Sequence, residues 1–299
     1  MVSSLLFVHV ILGFMAGWIL VALVTSIADL FGTGRAGFAG SLPSVGAVSL
    51  LFIGVSQSTA SAIKATAIFP LAFGVTFAFL LFYSFPSRLG FWPRIAIAYA
   101  LWALFATLLA ASGFDNFCLS LVGGVALSSI VYLLHRSRGI EDAAPDPRKI
   151  GAQQIVLRGM LGGCIVGGVV ILSTISGPTA GAVLGSAPTI WPTSLYVANR
   201  THSLEFSRSL TKSFLRTGLI TIIPYFVAAR YLFPLFGMWW GTLLSYVVIS
   251  PLAWLSWKLS GAKTKGGSKV QLLDLRGQRD WETEDTQGPA RRDVTKLPI

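Results

Sequence analysis

The sequence predicts an all-α polytopic membrane protein with about nine transmembrane helices, built from two inverted-topology repeats whose helices are broken by glycine and proline. Three observations support this fold class. Apolar residues make up 54% of the chain and charged residues 12%, and the mean hydropathy is +0.70. The apolar residues form runs long enough to cross a bilayer. The motif Gly-Ser-Leu-Pro-Ser at residues 40–44 recurs at 185–189 as Gly-Ser-Ala-Pro-Thr.

The repeat extends on both sides of this motif at a constant offset of 145 residues. Duplicated membrane segments that each carry a Gly/Pro interruption are typical of transporter folds whose site lies between the halves. Five predicted spans separate the start of copy one from the start of copy two, so we expect the copies to enter the membrane from opposite faces. Further matched pairs are Gly17 and Gly162, Gly32 and Gly177, Ser49 and Ser194, Leu50 and Leu195, Ser58 and Ser203, and Thr76 and Thr221.

Short polar breaks divide the apolar sequence into its predicted spans. The fourth span, which starts at Trp92, has no evident counterpart in copy two, because residues 231–234 lead almost directly into the last span. The predicted organisation is repeat one over 1–134 with about five spans, a linker over 135–152, repeat two over 153–257 with about four spans, and a tail over 258–299. The spans are placed at 5–25, 38–55, 61–83, 93–111, 117–134, 154–173, 180–198, 211–232 and 235–257.

The distribution of Lys and Arg predicts the orientation, because basic residues are retained on the cytoplasmic side during insertion. With the N-terminus outside, 21 of the 23 basic residues lie inside, and only Lys64 and Arg230 lie outside. This predicts a multi-pass protein of the cell (inner) membrane with a cytoplasmic C-terminus. The net charge of +11 then follows from topology, and no nucleic-acid partner is expected.

The two segments outside the spans carry mixed charge. The linker contains Pro145 and Pro147 and is interpreted as a short cytoplasmic connection. The tail from Lys258 loses hydrophobic periodicity, and we expect it to be a disordered cytoplasmic segment, because it has too little apolar surface to offset the entropy of ordering.

The repeated Gly-Ser-x-Pro-Ser/Thr motif is the main candidate site. Proline frees backbone carbonyls inside a span, and glycine lets a backbone or a ligand approach closely. Irregular backbone at bilayer depth is tolerated only where protein or a water-filled cavity covers it. The alternative is that these prolines only kink packed helices. The candidate binding residues of this motif are Ser41, Pro43, Ser44, Ser186, Pro188, Thr189, Pro192 and Thr193.

Two further features are candidates for charge-dependent roles. Arg208, Lys212 and Arg216 are spaced four apart on one helical face, so Lys212 and Arg216 are candidates for attracting an anionic solute or headgroup. The alternative is an ordinary positive-inside flank with snorkelling side chains. Asp29 precedes the first motif and is the candidate for proton coupling, or else a solvated loop residue.

The sequence does not predict an enzyme. The spans contain no His/Glu metal pair, no G-x-S-x-G motif and no clustered acidic motif, and no ATP-binding loop occurs. No catalytic residue, metal ligand or cofactor is therefore predicted. Cys118 and Cys164 lie in apolar stretches and are interpreted as packing residues.

Copy two contains the run from Pro188 to Thr193, Gly218 and the run Ile-Pro-Tyr-Phe at 223–226. On these residues, 185–257 resembles the GlpM-like family of small bacterial inner-membrane proteins, with Lys212 where that family tends to have arginine. Copy one departs from the family, since no second proline follows Pro43 closely. The resemblance implies a fused pair of units that otherwise occur singly and pair as inverted dimers. The family name suggests a link with glycerol phosphate or exopolysaccharide metabolism.

The function predicted from these features is a small secondary transporter or exporter in the lipid bilayer. Its expected cargo is a small solute, with anions among the candidates, or a lipid-linked headgroup, held at the interface of the repeats. The alternative is a non-catalytic membrane scaffold or envelope-biogenesis factor, in which the breaks serve only packing. A homo-oligomer is compatible with both interpretations.

Overall fold

The computed structural model describes residues 2–30, 43–85, 87–138, 151–201 and 203–285, with side chains over 4–23, 26, 43–85, 87–138, 151–200 and 203–255. Every regular element within these residues is an α-helix. The first five helices are α1 (Val2–Leu30), α2 (Ser44–Ser56), α3 (Thr59–Thr66), α4 (Phe69–Tyr83) and α5 (Phe91–Ala111). The remaining five are α6 (Phe117–Ser137), α7 (Ala152–Ser176), α8 (Pro178–Gly185), α9 (Ile190–Thr201) and α10 (Leu204–Asp285).

Several helices are long and apolar enough to cross a membrane, which supports the membrane-protein class. Among the described residues there are five, and a sixth if α3 and α4, which bend by 52°, count as one span. The apolar part of α10, Leu204–Leu255, has 52 residues, far more than the 20 or so that one crossing needs. Gly237, at φ 71° and ψ 173°, interrupts this helix. The other four are Ser4–Leu23, Phe91–Ala111, Phe117–Ser137 and Ala152–Ser176.

The helices differ from the predicted spans where proline or glycine intervenes. The predicted span 180–198 is two helices, because α8 ends at Gly185 and α9 begins at Ile190, on either side of Pro188. The predicted span 38–55 is described only from Pro43, which is the N-cap of the 13-residue α2. The predicted spans 211–232 and 235–257 both lie within α10, which consists of two helical stretches separated by a kink at Gly237, and Pro224 and Pro234 lie within the first stretch without ending it.

The two charged segments are described unequally. In the linker, residues 139–150 lie outside the described residues. In the tail, where disorder was predicted from Lys258, α10 continues as a helix to Asp285. No proline occurs between Pro251 and Pro289, so each residue of this stretch keeps the backbone N–H that a helix needs. Residues 259–299 form a compact unit separate from residues 1–258.

Helices α1 and α7 pack antiparallel through small residues. A Cβ added to Gly163 would lie 2.6 Å from the Phe14 carbonyl oxygen, and one added to Gly159 would lie 2.2 Å from the Trp18 ring. A Cβ on Gly17 would lie 3.0 Å from the Gly162 carbonyl oxygen. Glycine at these positions therefore lets the two backbones approach closely, as small-residue faces do in membrane helices.

Helix α4 carries the aromatic centre of the core. Phe69, Phe73 and Phe77 recur every fourth residue and so lie on one face of α4. Phe69 and Phe73 stack on Phe226 of α10, at ring-centroid distances of 4.1 and 5.2 Å, and Phe77 stacks on Trp191 of α9 at 5.7 Å. This face therefore joins the first half of the chain to the second.

A chain of polar contacts shows which helix ends lie together. Arg158 near the start of α7 donates from Nη2 to Ser194 Oγ on α9 at 2.9 Å. Ser207, near the start of α10, donates to the Leu195 carbonyl oxygen of α9 at 2.8 Å. Ser207 also pairs with the Tyr83 hydroxyl at the end of α4 at 2.6 Å. The starts of α7 and α10, the middle of α9 and the end of α4 therefore lie together in the bundle.

The α1–α7 contact predicts different responses to two alanine substitutions one turn apart on α7. Gly163→Ala should cost about 1–3 kcal/mol, because the new methyl group meets the backbone of α1. Gly167→Ala is the matched control, since its Cβ would find no atom nearer than 3.6 Å. Thermal unfolding in detergent should give a lower midpoint for Gly163→Ala only. Equal midpoints for both variants would contradict the packing.

Candidate functional site

Pro43 and Ser44, the described part of the motif in copy one, line the same cavity as the motif of copy two. We call residues 43–46 the Pro43 segment and residues 185–191 the Pro188 segment. All residues of both segments line a cavity of about 40 Å³, together with Phe73, Thr76 and Ile222. A water molecule needs about 10–15 Å³ by the same measure, so the cavity has room for roughly three waters.

The cavity faces the first turns of two helices. Ser44, Val45 and Gly46 are the first three residues of α2, and Ile190 and Trp191 are the first two of α9. The first amides of an α-helix have no acceptor within the helix, and they carry the positive end of its dipole. No side chain caps α2. The two N-termini therefore direct donor groups and partial positive charge at the same small space.

Hydroxyl groups supply the side-chain polarity of the site. Ser44 is 1% exposed, and its Oγ has no hydrogen-bond partner. Ser186 Oγ donates to the Val183 carbonyl oxygen at 2.7 Å, within α8 and its cap. Thr189 is buried and also lines the cavity. Ser44 is thus a buried hydroxyl with unused hydrogen-bonding capacity at the cavity wall.

Two tyrosines hydrogen-bond to the carbonyls of the two prolines. The Tyr99 hydroxyl on α5 donates to the Pro188 carbonyl oxygen at 2.6 Å. The Tyr246 hydroxyl on α10 donates to the Pro43 carbonyl oxygen at 3.4 Å. Each tyrosine comes from the half of the chain opposite to the proline that it contacts. Neither residue was identified from the sequence.

Thr76 on α4 connects the Pro188 segment to α5. Its hydroxyl donates to the Ser186 carbonyl oxygen at 2.8 Å, and the Ala72 carbonyl oxygen lies 3.0 Å away as a second acceptor for the same hydrogen. The Thr76 oxygen accepts from Trp102 Nε1 at 3.1 Å. Thr76 is 1% exposed. The sequence showed Thr76 only as a matched residue of the repeat, so its role in holding the Pro188 segment is a finding of the structure.

The other predicted site residues lie outside the cavity lining. Thr193 is buried and bonds to the Ile190 carbonyl oxygen at 2.8 Å, and Pro192 is half-buried in the first turn of α9. Lys212 and Arg216 are half-buried on α10. Of the remaining predicted residues, Ser41 and the side chain of Asp29 lie outside the described residues.

Three arginines surround the C-terminal end of α4. Arg94 donates to the carbonyl oxygens of Leu89, Tyr83, Phe85 and Ser87. Arg208 donates to the Ser84 carbonyl oxygen at 2.9 Å, and Arg138 to that of Leu81 at 3.4 Å. Burial lowers the pKa of Arg138, and the charge of Arg208 lowers it further. Cations favour the negative end of a helix dipole, so these residues hold the end of α4.

Arg158 is a second buried cation that sequence analysis placed only among the loop flanks. It is 8% exposed, and its bond to Ser194 joins α7 to α9. Its position seven residues into a 25-residue apolar helix is the signal that could have drawn attention to it.

No protein-family model, curated protein or solved structure matches this chain. Among the described residues, no group of three or more His, Cys, Asp or Glu side chains could hold a metal ion. The geometry therefore has to carry the functional argument.

The contacts of Thr76 predict a stability loss when its hydroxyl is removed. Thr76→Val leaves the Ser186 carbonyl and the Trp102 N–H buried without this partner, which should cost about 1–3 kcal/mol. Thr174→Val is the control, because the exposed Thr174 hydroxyl bonds only within its own helix, to Val170. Thermal unfolding should separate the two variants. A Thr76→Val protein as stable as the wild type would show that this bond does not hold the Pro188 segment.

Proposed function

We propose that the protein is a small secondary transporter or exporter of the inner membrane, with its site where two inverted repeats meet. Its cargo is a small solute or a lipid-linked headgroup. The observation that carries the proposal is that the Pro43 and Pro188 segments, 145 residues apart, line the same cavity. Broken helices that meet at the interface of repeats are the usual site of such transporters.

Contacts that occur in exchanged pairs support the inverted repeat. A twofold axis between the copies exchanges them, so each contact between the copies should occur twice. If residue i of copy one contacts residue j of copy two, then residue j−145 of copy one should contact residue i+145 of copy two. Val166 of copy two packs at Gly17 of copy one, and Val21 of copy one packs at Gly162 of copy two. The offset of 145 residues converts the first contact into the second with no shift. The contacts of Phe14 at Gly163 and Trp18 at Gly159 are related in the same way. Antiparallel packing of equivalent helices around the Gly17–Gly162 contact fits an axis passing between them.

Polar contacts follow the same relation approximately. The offset converts the bond between Tyr99 and Pro188 into one between residue 244 and Pro43, and the bond observed at Pro43 comes from Tyr246, two residues further on. Arg230 donates to the Ile63 carbonyl oxygen and Arg208 to that of Ser84, and this pair is equivalent to within one residue. In each case the contact joins the two copies. The relation thus extends from α1 and α7 to the far parts of the core.

The offset of 145 residues changes which helices of the two copies are expected to correspond. The predicted fourth span, α5, was expected to lack a counterpart in copy two. At the offset of 145, α5 (Phe91–Ala111) corresponds to residues 236–256, which is the part of α10 that follows the break at Gly237. At the same offset, α6 corresponds to residues 262–282, which are helical but rich in charge, so we propose that α6 is the membrane span without a counterpart.

The proposed topology keeps about nine crossings, with α8 and α9 as one broken crossing and α10 crossing twice before residue 258. The arginine-rich end of the bundle faces the cytoplasm, because basic residues are retained there. Helix α1 is antiparallel to α7, which begins at this end, so the N-terminus lies outside. The GlpM-like resemblance fits as a fusion of two units that pair in opposite orientations.

The cavity of about 40 Å³ is too small for an organic solute, which fits a closed state of the site. Transport then requires that the copies rock against each other. The α1–α7 contact lies at the proposed axis, and its small residues allow rotation with little change in separation. The aromatic contacts of α4 with Phe226 and Trp191 would slide or part in such a motion.

Single cysteines at the cavity test the proposal. The background is Cys118→Ala with Cys164→Ala, both exposed in the wild type. In it, Ser44→Cys and Thr189→Cys should react with a membrane-impermeant thiol reagent, and the preferred side should change when a transported solute is added. Ser128→Cys is the control, because Ser128 is 1% exposed on α6 and does not line the cavity. Protection of all three positions from both sides would rule out an accessible site.

The scaffold alternative predicts that the charges of Lys212 and Arg216 are not needed for function. Lys212→Gln with Arg216→Gln leaves Arg208 in place to hold the end of α4. If the protein is only a scaffold, this variant should keep the phenotype of the wild type whenever it inserts normally, and no solute should alter cysteine reactivity at Ser44.

A further inference from the structure

We infer that the cavity between the Pro43 and Pro188 segments takes a small monovalent inorganic anion of about halide size. The inference rests on the proposed transport function and narrows its substrate. It depends on which carbonyls of the two segments are already engaged, on the donors beside the cavity, and on the absence of ionised groups among the described residues that line it.

The acceptors that a cation would need are already engaged. The Pro188 carbonyl oxygen accepts from Tyr99 at 2.6 Å, and the Ser186 carbonyl oxygen accepts from Thr76 at 2.8 Å. The Pro43 carbonyl oxygen accepts from the Ala47 amide at 2.8 Å and from Tyr246 at 3.4 Å. Na⁺ and K⁺ sites in broken helices are built from such unwound carbonyls. Here the Pro188 and Ser186 carbonyl oxygens already accept from hydroxyl groups, which makes them weaker ligands for a cation.

Two features of the cavity lining favour a ligand that accepts hydrogen bonds. The first turns of α2 and α9 line the cavity, and the helix dipole favours an anion at both N-termini. The second, independent observation is Ser44, whose hydroxyl is 1% exposed, lines the same cavity and has no partner. A buried hydroxyl is costly to leave unpaired, so a ligand that accepts a hydrogen bond from it is favoured.

Charge and size restrict the anion. No Lys, Arg, His, Asp or Glu is among the described residues that line the cavity. A phosphate group is normally held by charge-assisted bonds from arginine or lysine, which this lining does not offer. Partial charges from two helix ends match one negative charge better than two. A volume of about 40 Å³ accommodates a halide with little accompanying water, whereas a phosphorylated solute needs far more space.

The test uses the full-length protein in liposomes loaded with potassium chloride, bromide or fluoride, with valinomycin to carry compensating charge. An ion-selective electrode measures anion release, and parallel liposomes report sodium and inorganic phosphate. We expect release of at least one halide and of neither sodium nor phosphate. The melting temperature of purified protein in the same halide should exceed that in gluconate, because a ligand of the folded state stabilises it.

Variants separate the site from the fold. Ser44→Ala should weaken halide binding and slow release by about tenfold, as expected for loss of a hydrogen bond to an ion. Tyr99→Phe with Tyr246→Phe should lower the ratio of halide to sodium flux, because both substitutions uncover carbonyls at the cavity. Ser128→Ala is the control, since Ser128 Oγ is equally buried and unpartnered but lies outside the cavity lining.

Three outcomes overturn the inference in different ways. Flux of sodium or phosphate without halide flux would reject the anion and leave the transport proposal intact. Halide flux that is unchanged in Ser44→Ala would place the pathway elsewhere in the molecule. No flux or stabilisation by any probe, together with protected cysteines at Ser44 and Thr189, would reject both the anion and the transport function.

Discussion

The structure depends on how polar backbone is satisfied where helices stop inside an apolar bundle. A helix that begins at Ser44 and another that begins at Ile190 leave amides and carbonyls far from bulk water, and each unsatisfied group in hydrocarbon costs several kcal/mol. The protein places these two segments against each other and covers their carbonyls with hydroxyl groups from elsewhere in the chain. The first amides of each helix have no acceptor within their own helix, and the Ser44 hydroxyl has no hydrogen-bond partner. Engaged carbonyls and an unpaired hydroxyl therefore lie beside the same small cavity.

The tyrosine contacts also couple the two halves of the molecule. Tyr99 and Pro43 belong to the first half, and Tyr246 and Pro188 to the second, so each bond crosses between halves. A relative movement of the halves consequently changes the hydrogen bonding of the site itself. Thr76 adds a third bond of this kind, to Ser186. Under the proposed transport function, separating the halves would therefore break the hydrogen bonds that close the cavity.

The sequence predicted the elements whose cause is local. Pro188 lies in the break between α8 and α9, where the repeated motif predicted an interruption, because proline lacks the backbone N–H that a continuing helix needs. Residues whose role depends on a distant partner were not predictable. Tyr99 and Tyr246 differ by two residues from the repeat offset, so comparison of the copies did not reveal them. Arg208 belongs to a four-residue spacing with Lys212 and Arg216, yet it binds the end of α4, which only the folded chain brings near.

The contacts that join the two halves are unequal in charge and in bond length. Both cross-contacts near the ends of the core use an arginine of the second half, Arg208 or Arg230, against a backbone carbonyl of the first. The two tyrosine bonds differ as well, because 2.6 Å is short for a hydroxyl donor and 3.4 Å is beyond the usual range. Separation at the Pro43 segment therefore loses less hydrogen-bond energy than separation at the Pro188 segment. If the halves separate as the proposed transport requires, the weaker contact of Tyr246 makes the Pro43 segment the part of the site that opens more easily.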